Sequence, residues 1–476
     1  MKMKNYYICL LGAALAFAGC KKELDLKPTD SIDPSKAFQT IADAQLGANA
    51  VYGDYGTYNN QTYVGALLSD EVKVGIDNQG QGLFTYKYQD AADLTTGADV
   101  IAAWGGFYTL IDQANRVLAV IDGVTAASPF EESRRGVLKG QMLAMRAIGH
   151  FELLESYSKK YDPADPLGVP IMLKSDPLGQ PARAKVADVI TQIKADFAAA
   201  IALLPATTTA NFTDTVMSPI SIAAYQARLA LYMNDYTNAV NYTTTVINSN
   251  VKPISSGAGF QGIWTDANSN ETLFRVRFAT GTAIGAIWTV VSQSLVYFQP
   301  SNKLISQYTA ADIRQGAYIG VGNTTNGVGT GKNFVNKFFT SSKGARIVDL
   351  KGPRIAEMYL IRAEANAQLN TAASLAAAAA DLNLVRSNRI TGYTNQAFAD
   401  QPTLLAAILV EKYKELCFEG IRFQDLKRNG LPVSRLATDV DSPQWQTLPA
   451  NDFHFTLPIP QQELLANKNM VQNAGY

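Results

Sequence analysis

The chain has 476 residues, of which 47% are hydrophobic and 17% are charged. A chain of this length and composition can bury a large core, which excludes global disorder. Lysine plus arginine and aspartate plus glutamate both number 41. This balance, without a long basic run, argues against a nucleic-acid-binding protein, which needs a basic patch for phosphate. His150 and His454 are the two histidines, so a metal site built from several histidines is excluded, and no cofactor is expected.

The first twenty residues have the pattern of an export signal. Two lysines precede an apolar run from Ile8 to Phe17, which is too short for a bilayer core that needs about 20 residues. The pattern predicts a signal peptide over residues 1–19. The run ends in Ala18-Gly19-Cys20, which resembles a bacterial lipobox and implies cleavage before Cys20 and lipidation of its sulfur. An ordinary signal peptide with a chance cysteine is the alternative.

Residues 20–30 are predicted to form a polar tether behind the lipid. Their lysines and acids resemble the surface-export signal of Bacteroidetes lipoproteins. With Cys9 removed and Cys20 lipidated, only Cys417 remains, so we expect no intramolecular disulfide in the exported protein.

Apolar residues recur at helical spacing in several windows, which predicts long amphipathic helices. In chain order these windows are 100–121, 138–157, 186–204, 221–233, 236–247, 354–369, 372–389 and 404–418. The helices on either side of Asn234-Asp235 carry small alanines, which allow close packing as in a tetratricopeptide hairpin. The sequence therefore predicts a mainly α fold in which tetratricopeptide-like helix pairs form a single scaffold. Irregular spacing argues against a regular solenoid.

Two stretches lack this spacing. Residues 251–350 contain Gly, Asn, Thr and Ser clusters between short β-prone runs such as 273–278. Residues 49–96 are similar, with several tyrosines among Gly, Asn and Gln. We expect a loop-rich region with minor β structure here, and long loops on a helical scaffold are where ligands usually bind.

An ordered set of motifs runs through the chain. In the C-terminal third these are Arg354–Ala365, Asp381–Arg386, Glu411–Arg428, Leu457–Pro460 and Val471–Tyr476; earlier ones include Trp104–Tyr108, Ala114-Asn115 and Gly168–Ile171. Taken together they resemble the SusD/RagB family of Bacteroidetes outer-membrane lipoproteins over the whole mature chain. The resemblance implies a SusD-like domain over residues 31–476, with an N-terminal part to about residue 270 and a C-terminal part from about residue 271.

Charged residues of these motifs lie among apolar neighbours on predicted helices. They are Glu357, Arg362, Glu364, Glu415, Glu419, Arg422 and Asp425. An unpaired buried charge is costly and a paired one is tolerable. We therefore expect buried or half-buried ion pairs that lock helices together, rather than ligand contacts.

SusD-like proteins hold a nutrient, usually a glycan and sometimes a peptide, as a lid on a SusC-like TonB-dependent transporter. The resemblance implies a non-catalytic lipoprotein of the cell outer membrane that delivers oligosaccharide or polysaccharide to such a transporter. Three alternatives stay open: a peptide-binding lid of a RagAB-like importer, a helical scaffold without a small ligand, and a surface glycosidase, whose two carboxylates leave no motif.

Sugar recognition requires flat aromatic faces and planar amide or carboxylate groups on an open, preformed surface. Trp288 and Tyr297 lie in the region where family members carry stacking aromatics, and Trp264 lies in a turn-like context. The remaining candidates are Trp104 and, in a polar loop, Asp70, Glu71, Asp77 and Asn78. Core packing is the alternative for the aromatic residues, and simple solvation for the polar ones.

Overall fold

The computed structural model describes residues 37–159, 161–279 and 283–476. The predicted signal peptide, Cys20 and the tether lie outside the described residues. Helices dominate the described part of the chain, and the prediction of a mainly α fold is confirmed.

The longer helices account for most of the scaffold. They are α1 (Ile41–Asp54), α2 (Tyr58–Leu68), α4 (Ala98–Val120), α5 (Pro129–Tyr157), α6 (Val186–Leu203), α7 (Pro219–Tyr232), α8 (Tyr236–Asn248), α9 (Gly257–Trp264), α12 (Ile355–Leu369), α13 (Ala372–Arg389), α14 (Gln401–Glu415) and α15 (Ile421–Arg428). Shorter helices lie between them or follow them: α3 (Leu83–Tyr86), α10 (Asn302–Ile305), α11 (Arg314–Tyr318) and α16 (Gln461–Ala466).

The strands are two or three residues long and pair antiparallel. The pairs are β1 (Val72–Val74) with β5 (Phe298–Pro300), β2 (Arg275–Val276) with β10 (Leu350–Lys351), β3 (Thr289–Val290) with β4 (Leu295–Val296), β6 (Ile319–Val321) with β7 (Asn333–Val335), β8 (Thr340–Ser341) with β9 (Gly344–Ala345), and β11 (Val433–Ser434) with β12 (Thr447–Leu448). Most of them fall between residues 275 and 351, so the predicted loop-rich, minor-β region is present there.

Sequential helices pack as pairs, and short capped turns join two of these pairs, α7 with α8 and α12 with α13. Helices α4 and α5, α5 and α6, α7 and α8, and α12 and α13 are packed neighbours, and α12 also packs on α8 and α14. Asn234 turns α7 into α8 with a positive φ of 58°, a conformation that asparagine tolerates better than most residues. Thr371 and Ser374 form a capping box that starts α13 right after α12.

Several predicted boundaries change. Helix α5 begins at Pro129 rather than 138, because Ser128 caps it by accepting a hydrogen bond from Glu131 N–H. Helix α14 ends at Glu415 rather than 418, since Phe418 and Gly420 both have positive φ values, 63° and 80°. Gly420 also lies against helix α2 at Gly65.

The prediction of a loop over residues 49–96 is wrong for much of its length, because α1 and α2 occupy part of it. Its tyrosines face inward. The hydroxyls of Tyr55 and Tyr225 lie 2.6 Å apart, and Tyr58 O–H donates to the Glu419 carbonyl at 3.0 Å. Burial of these rings with satisfied hydroxyls makes the segment part of the core.

The predicted buried ion pairs are confirmed. Glu415 accepts hydrogen bonds from Arg354 and Arg389 at 3.1 and 3.0 Å, and all three side chains are fully buried. The other predicted charged residues pair as Arg228–Glu357, Arg362–Asp381, Lys412–Glu364, Arg354–Glu419, Arg422–Asp70 and Lys412–Asp425. Some of these pairs join neighbouring helices, as Arg362–Asp381 does, and others join segments distant in sequence, as Arg422–Asp70 does.

Every helix within the described ranges is too short or too polar to cross a bilayer.

Candidate functional site

Three of the four tryptophans lie in the core. Trp288 is 1% exposed, and its ring packs edge-on against Tyr63 at 5.2 Å and parallel to Phe338 at 6.1 Å. The prediction that Trp288 offers a stacking face is therefore wrong, and its core alternative holds. A long insertion between helices needs its own apolar anchors, and Trp288 is one of them.

Trp264 and Trp104 are also corrected as ligand candidates. Trp264 is 3% exposed, with the Lys337 ammonium 4.4 Å and the Arg354 guanidinium 5.0 Å from its ring. Its faces are occupied by cations of the buried ion-pair network. Trp104 is 1% exposed and packs edge-on against Tyr157 at 5.0 Å on helix α5.

Asp70 is a structural anion rather than a free hydrogen-bonding group. It is 1% exposed, and its carboxylate accepts two hydrogen bonds from Arg422, at 2.8 and 2.9 Å, and one from Lys303 at 2.7 Å. Burial opposes the charge, but these cations outweigh it and lower the pKa of Asp70. Its neighbour Glu71 is fully buried, and burial raises the pKa of Glu71 to about 8.

The other predicted candidates come together at the loop-rich end. Asn78 donates from its amide to the Tyr297 carbonyl at 2.9 Å, and the Asp77 carboxylate accepts from Val296 N–H at 3.2 Å. Gly75 allows this approach, because a Cβ there would lie 2.1 Å from the Val296 carbonyl oxygen. The structure thus places Asp77 and Tyr297 on one surface, whereas Asn78 is buried beneath it and holds the loops together.

A third loop closes this surface through one lysine. The Lys332 ammonium lies 2.7 Å from the Asp77 carboxylate and donates to the Ser294 carbonyl at 3.0 Å. Beneath it, Phe334 and Phe339 have ring centroids 4.4 Å apart in a small core of their own. We call residues 75–84, 293–298 and 321–333 the loop face.

The loop face is polar, uncharged overall and partly aromatic. Its two ionisable groups of opposite charge, Asp77 and Lys332, neutralise each other. The solvent-facing or half-buried side chains include Ile76, Gln79, Gln81, Phe84, Tyr297, Asn323, Thr324 and Thr325. Amides and hydroxyls can donate and accept hydrogen bonds, and the aromatic rings can pack on the apolar faces of a ligand.

Two family models match the chain. The model described as "SusD family" matches residues 275–476. The model described as "Starch-binding associating with outer membrane" matches residues 23–232.

The chain belongs to the SusD-like family.

Relatives of this SusD-like chain agree with that assignment. A SusD-like protein of Formosa agariphila is 24% identical over 238 residues, which are 48% of this chain and 42% of that protein. The chain therefore matches less than half the length of that relative. A solved SusD superfamily protein from Bacteroides thetaiotaomicron is 25% identical, with a TM-score of 0.79 over 91% of this chain and 99% of that one. A laminarin-binding SusD-like protein is 22% identical, with a TM-score of 0.69 over 92% of this chain and 100% of that one.

Trp445 is a partly accessible tryptophan that was not among the ligand candidates predicted from the sequence. It is half-buried on a turn over Pro443–Trp445, and the Lys87 ammonium lies 5.9 Å from its ring. Lys87 directly follows helix α3, which carries Phe84 of the loop face. The available signal was its context in Ser442-Pro443-Gln444-Trp445, a proline turn outside every helical window.

Proposed function

We propose that this SusD-like protein binds a neutral glycan on the loop face and delivers it to a SusC-like TonB-dependent transporter of the outer membrane. The observation that carries the proposal is the chemistry of the loop face: amides, hydroxyls and aromatic rings around a self-neutralised ion pair. Such a surface suits uncharged sugar hydroxyls and ring faces. The laminarin-binding relative, which shares the fold, supports a glycan as the ligand class.

The lid role, the surface location and the lipid anchor on Cys20 are part of the same proposal. The description of the N-terminal family model, which names association with the outer membrane, supports the membrane location. The resemblance of Ala18-Gly19-Cys20 to a lipobox supports the lipid anchor. In this proposal the helix pairs contact the transporter, and the loop face stays available to the cargo.

We further propose that the protein is not a glycosidase. The carboxylates of Glu152 and Glu155 lie close together, since both accept from the Gln61 amide, at 2.9 and 3.1 Å. Both side chains are buried, and burial raises the pKa of Glu152 to about 7. This pair belongs to the helical core, where a sugar cannot reach it, which argues against its use in hydrolysis.

Native gels that contain laminarin, soluble starch, xylan or mannan test the binding proposal. We expect retarded migration in at least one gel, and loss of that retardation in Tyr297→Ala and Phe84→Ala. The control is Phe130→Ala, which removes a 72% exposed ring at the start of helix α5, away from the loop face. Unretarded migration of the natural protein in all four gels would contradict glycan binding, and retention on a peptide mixture would then favour the peptide alternative.

Two further assays test the absence of catalysis and the lid role. Reducing sugar released by the purified protein from any of the four polysaccharides would contradict a purely binding role. Solubilised outer membranes should yield the protein in a complex with a TonB-dependent transporter. Recovery as a free lipoprotein would contradict the lid role. Glycan binding would still be decided by the native gels.

A further inference from the structure

A cavity lies away from the loop face. It has a volume of about 650 Å³, within the range of small-ligand sites. It is lined where helices α5, α7 and α15 end and by residues 451–456, and none of its lining residues belongs to the loop face. We call it the helix-end cleft.

One buried polar group of the cleft has no partner. Tyr232 lines it and is 3% exposed, and its hydroxyl makes no hydrogen bond to any described residue. An unsatisfied buried hydroxyl is costly. The neighbouring Tyr161 differs, because its hydroxyl donates to the Gln424 side-chain oxygen at 2.7 Å. The Tyr232 hydroxyl has almost no solvent-accessible surface, so it can bond to a ligand in the cleft only when the side chains over it shift.

The cleft also has an exposed aromatic wall and free amides. Phe453 is 39% exposed and is held edge-on by Tyr476, with ring centroids 5.0 Å apart. At the rim, Asn234 accepts from Tyr236 O–H at 2.9 Å through its amide oxygen, and its amide N–H groups have no partner among the described residues. An apolar ring beside amide and hydroxyl groups is the combination that sugar recognition requires.

Two of the three cations that line the cleft are already engaged, whereas the third, Lys159, is exposed. Arg428 lies 2.7 Å from both Glu364 and Asp425. The Lys427 ammonium donates to two backbone carbonyls, each at 2.7 Å, and burial lowers its pKa to about 7. The lining also includes Asp162 and Asp165, carboxylates that accept hydrogen bonds from hydroxyls and repel anions. Two carboxylates beside one unengaged ammonium group favour a neutral, polyhydroxylated ligand over an anionic one.

We propose that the helix-end cleft is a second binding site for a neutral oligosaccharide, with one ring packed on Phe453, one hydroxyl bonded to Asn234, and another bonded to Tyr232 once the side chains over its hydroxyl shift. The choice of ligand class rests on the proposed function, whereas the location is independent of the loop face. A polysaccharide that reaches both sites would gain avidity beyond either site alone.

The proposed second site can be tested by titration calorimetry with tetrasaccharides prepared from laminarin, amylose, xylan and mannan. We expect two sites per chain for at least one of them. Tyr232→Phe, which keeps the ring, should weaken one site about two- to tenfold, the effect of one neutral hydrogen bond. Phe453→Ala should weaken the same site by about tenfold through the lost ring contact. Tyr297→Ala should affect only the other site, and Phe130→Ala neither.

The outcomes separate the two proposals. Two sites, one of them sensitive to Tyr232→Phe and Phe453→Ala, support the cleft even if Tyr297→Ala changes nothing, a result that would overturn the loop face alone. A single site that Tyr297→Ala abolishes and both cleft variants leave unchanged overturns the cleft and keeps the loop face. No heat with any of the four sugars also overturns the cleft. Equal melting temperatures of Tyr232→Phe and the natural protein confirm that its effect is on binding.

Discussion

The helical scaffold and the loop face use charge in opposite ways. In the scaffold, Glu415 is fully buried and is surrounded by Arg314, Arg354 and Arg389 at 3.0 to 3.1 Å. Burial opposes its ionisation, yet the three arginines hold the pKa of Glu415 well below its usual range. On the loop face, Lys332 and Asp77 form a pair that keeps 27% and 18% of its side-chain surface in solvent.

This contrast separates the charged residues that stabilise the fold from those that can contact a ligand. Removal of one member of a buried network leaves a charge without compensation in a medium of low dielectric constant. A half-exposed pair loses little when it breaks, because water replaces the partner. The charged family motifs therefore belong to the scaffold, and the loop face can differ between relatives without loss of the fold.

The largest expected effect on stability comes from a substitution that breaks the buried ion-pair network of the scaffold. Glu415→Ala leaves three buried arginines with one anion fewer, and we expect a loss of about 3–5 kcal/mol in the free energy of unfolding. Chemical denaturation measures it. The control is Glu132→Ala on the exposed start of helix α5, whose pair with Arg135 should contribute less than about 1 kcal/mol. Equal losses in both variants would contradict the comparison.

The next effect distinguishes core tryptophans from accessible ones. Trp288→Ala opens a cavity among Tyr63, Phe338 and Phe418, and we expect it to lower the free energy of unfolding by about 3–5 kcal/mol. Trp445→Ala should have a smaller effect, because that ring is only half-buried. A melting temperature that is unchanged in Trp288→Ala and lowered in Trp445→Ala would reverse this assignment.

A third effect concerns pH and the buried His150. Met172 N–H donates to its Nε2 at 3.0 Å and its Nδ1 lies 2.9 Å from the Arg146 carbonyl, a pattern that fits the neutral ring. Burial lowers the pKa of His150 from 6.5 to about 4. Since the unfolded chain binds the extra proton first, this contribution is present above pH 6.5 and is lost as the pH falls from 6.5 towards 4, up to about 3 kcal/mol.

Denaturation curves of the natural protein and His150→Gln at several pH values isolate this contribution. Glu152, whose pKa is raised to about 7 by burial, acts in the opposite direction and is common to both proteins. The difference in unfolding free energy between the two should therefore shrink towards low pH. A difference that stays constant between pH 4 and pH 7 would show that His150 is not held neutral.

The smallest expected effect on stability comes from the loop face. Asp77→Asn keeps a hydrogen-bond acceptor for Val296 N–H and removes the attraction to Lys332. We expect a loss of less than about 1 kcal/mol, and less still at high salt because ions screen exposed pairs. Weaker glycan retention with nearly unchanged stability is the expected combination. A loss as large as that of Glu415→Ala would place Asp77 with the scaffold.

Much of the scaffold could be predicted from sequence, because helical periodicity and the turn at Asn234-Asp235 are local signals. Buried ion pairs could be predicted as a class, since motif charges lie among apolar residues. Their partners could not, because Arg354 and Glu415 are 61 residues apart in sequence and only the packed helices bring them together.

The residues of the candidate site were harder to predict, because they too depend on contacts between segments distant in sequence. Exposure decides whether an aromatic residue can stack on a sugar, and exposure depends on packing over the whole chain. Trp288 and Trp264 have loop-like sequence contexts but are core anchors, whereas Trp445 and Phe453 keep exposed surface through contacts between distant segments. The pairing of β1 with β5 brings Tyr297 and Asp77 together. Strands of three residues have too short a sequence pattern for this pairing to be predicted.

Hydrogen–deuterium exchange locates the binding surface, when it is measured with and without the polysaccharide that is best retained among laminarin, soluble starch, xylan and mannan. We predict that the ligand slows exchange in residues 75–84, 293–298 and 321–333 and leaves the amides of α12 and α14 unchanged. Slower exchange confined to the helix pairs, with the loop face unchanged, would contradict the assignment of binding to the loop face.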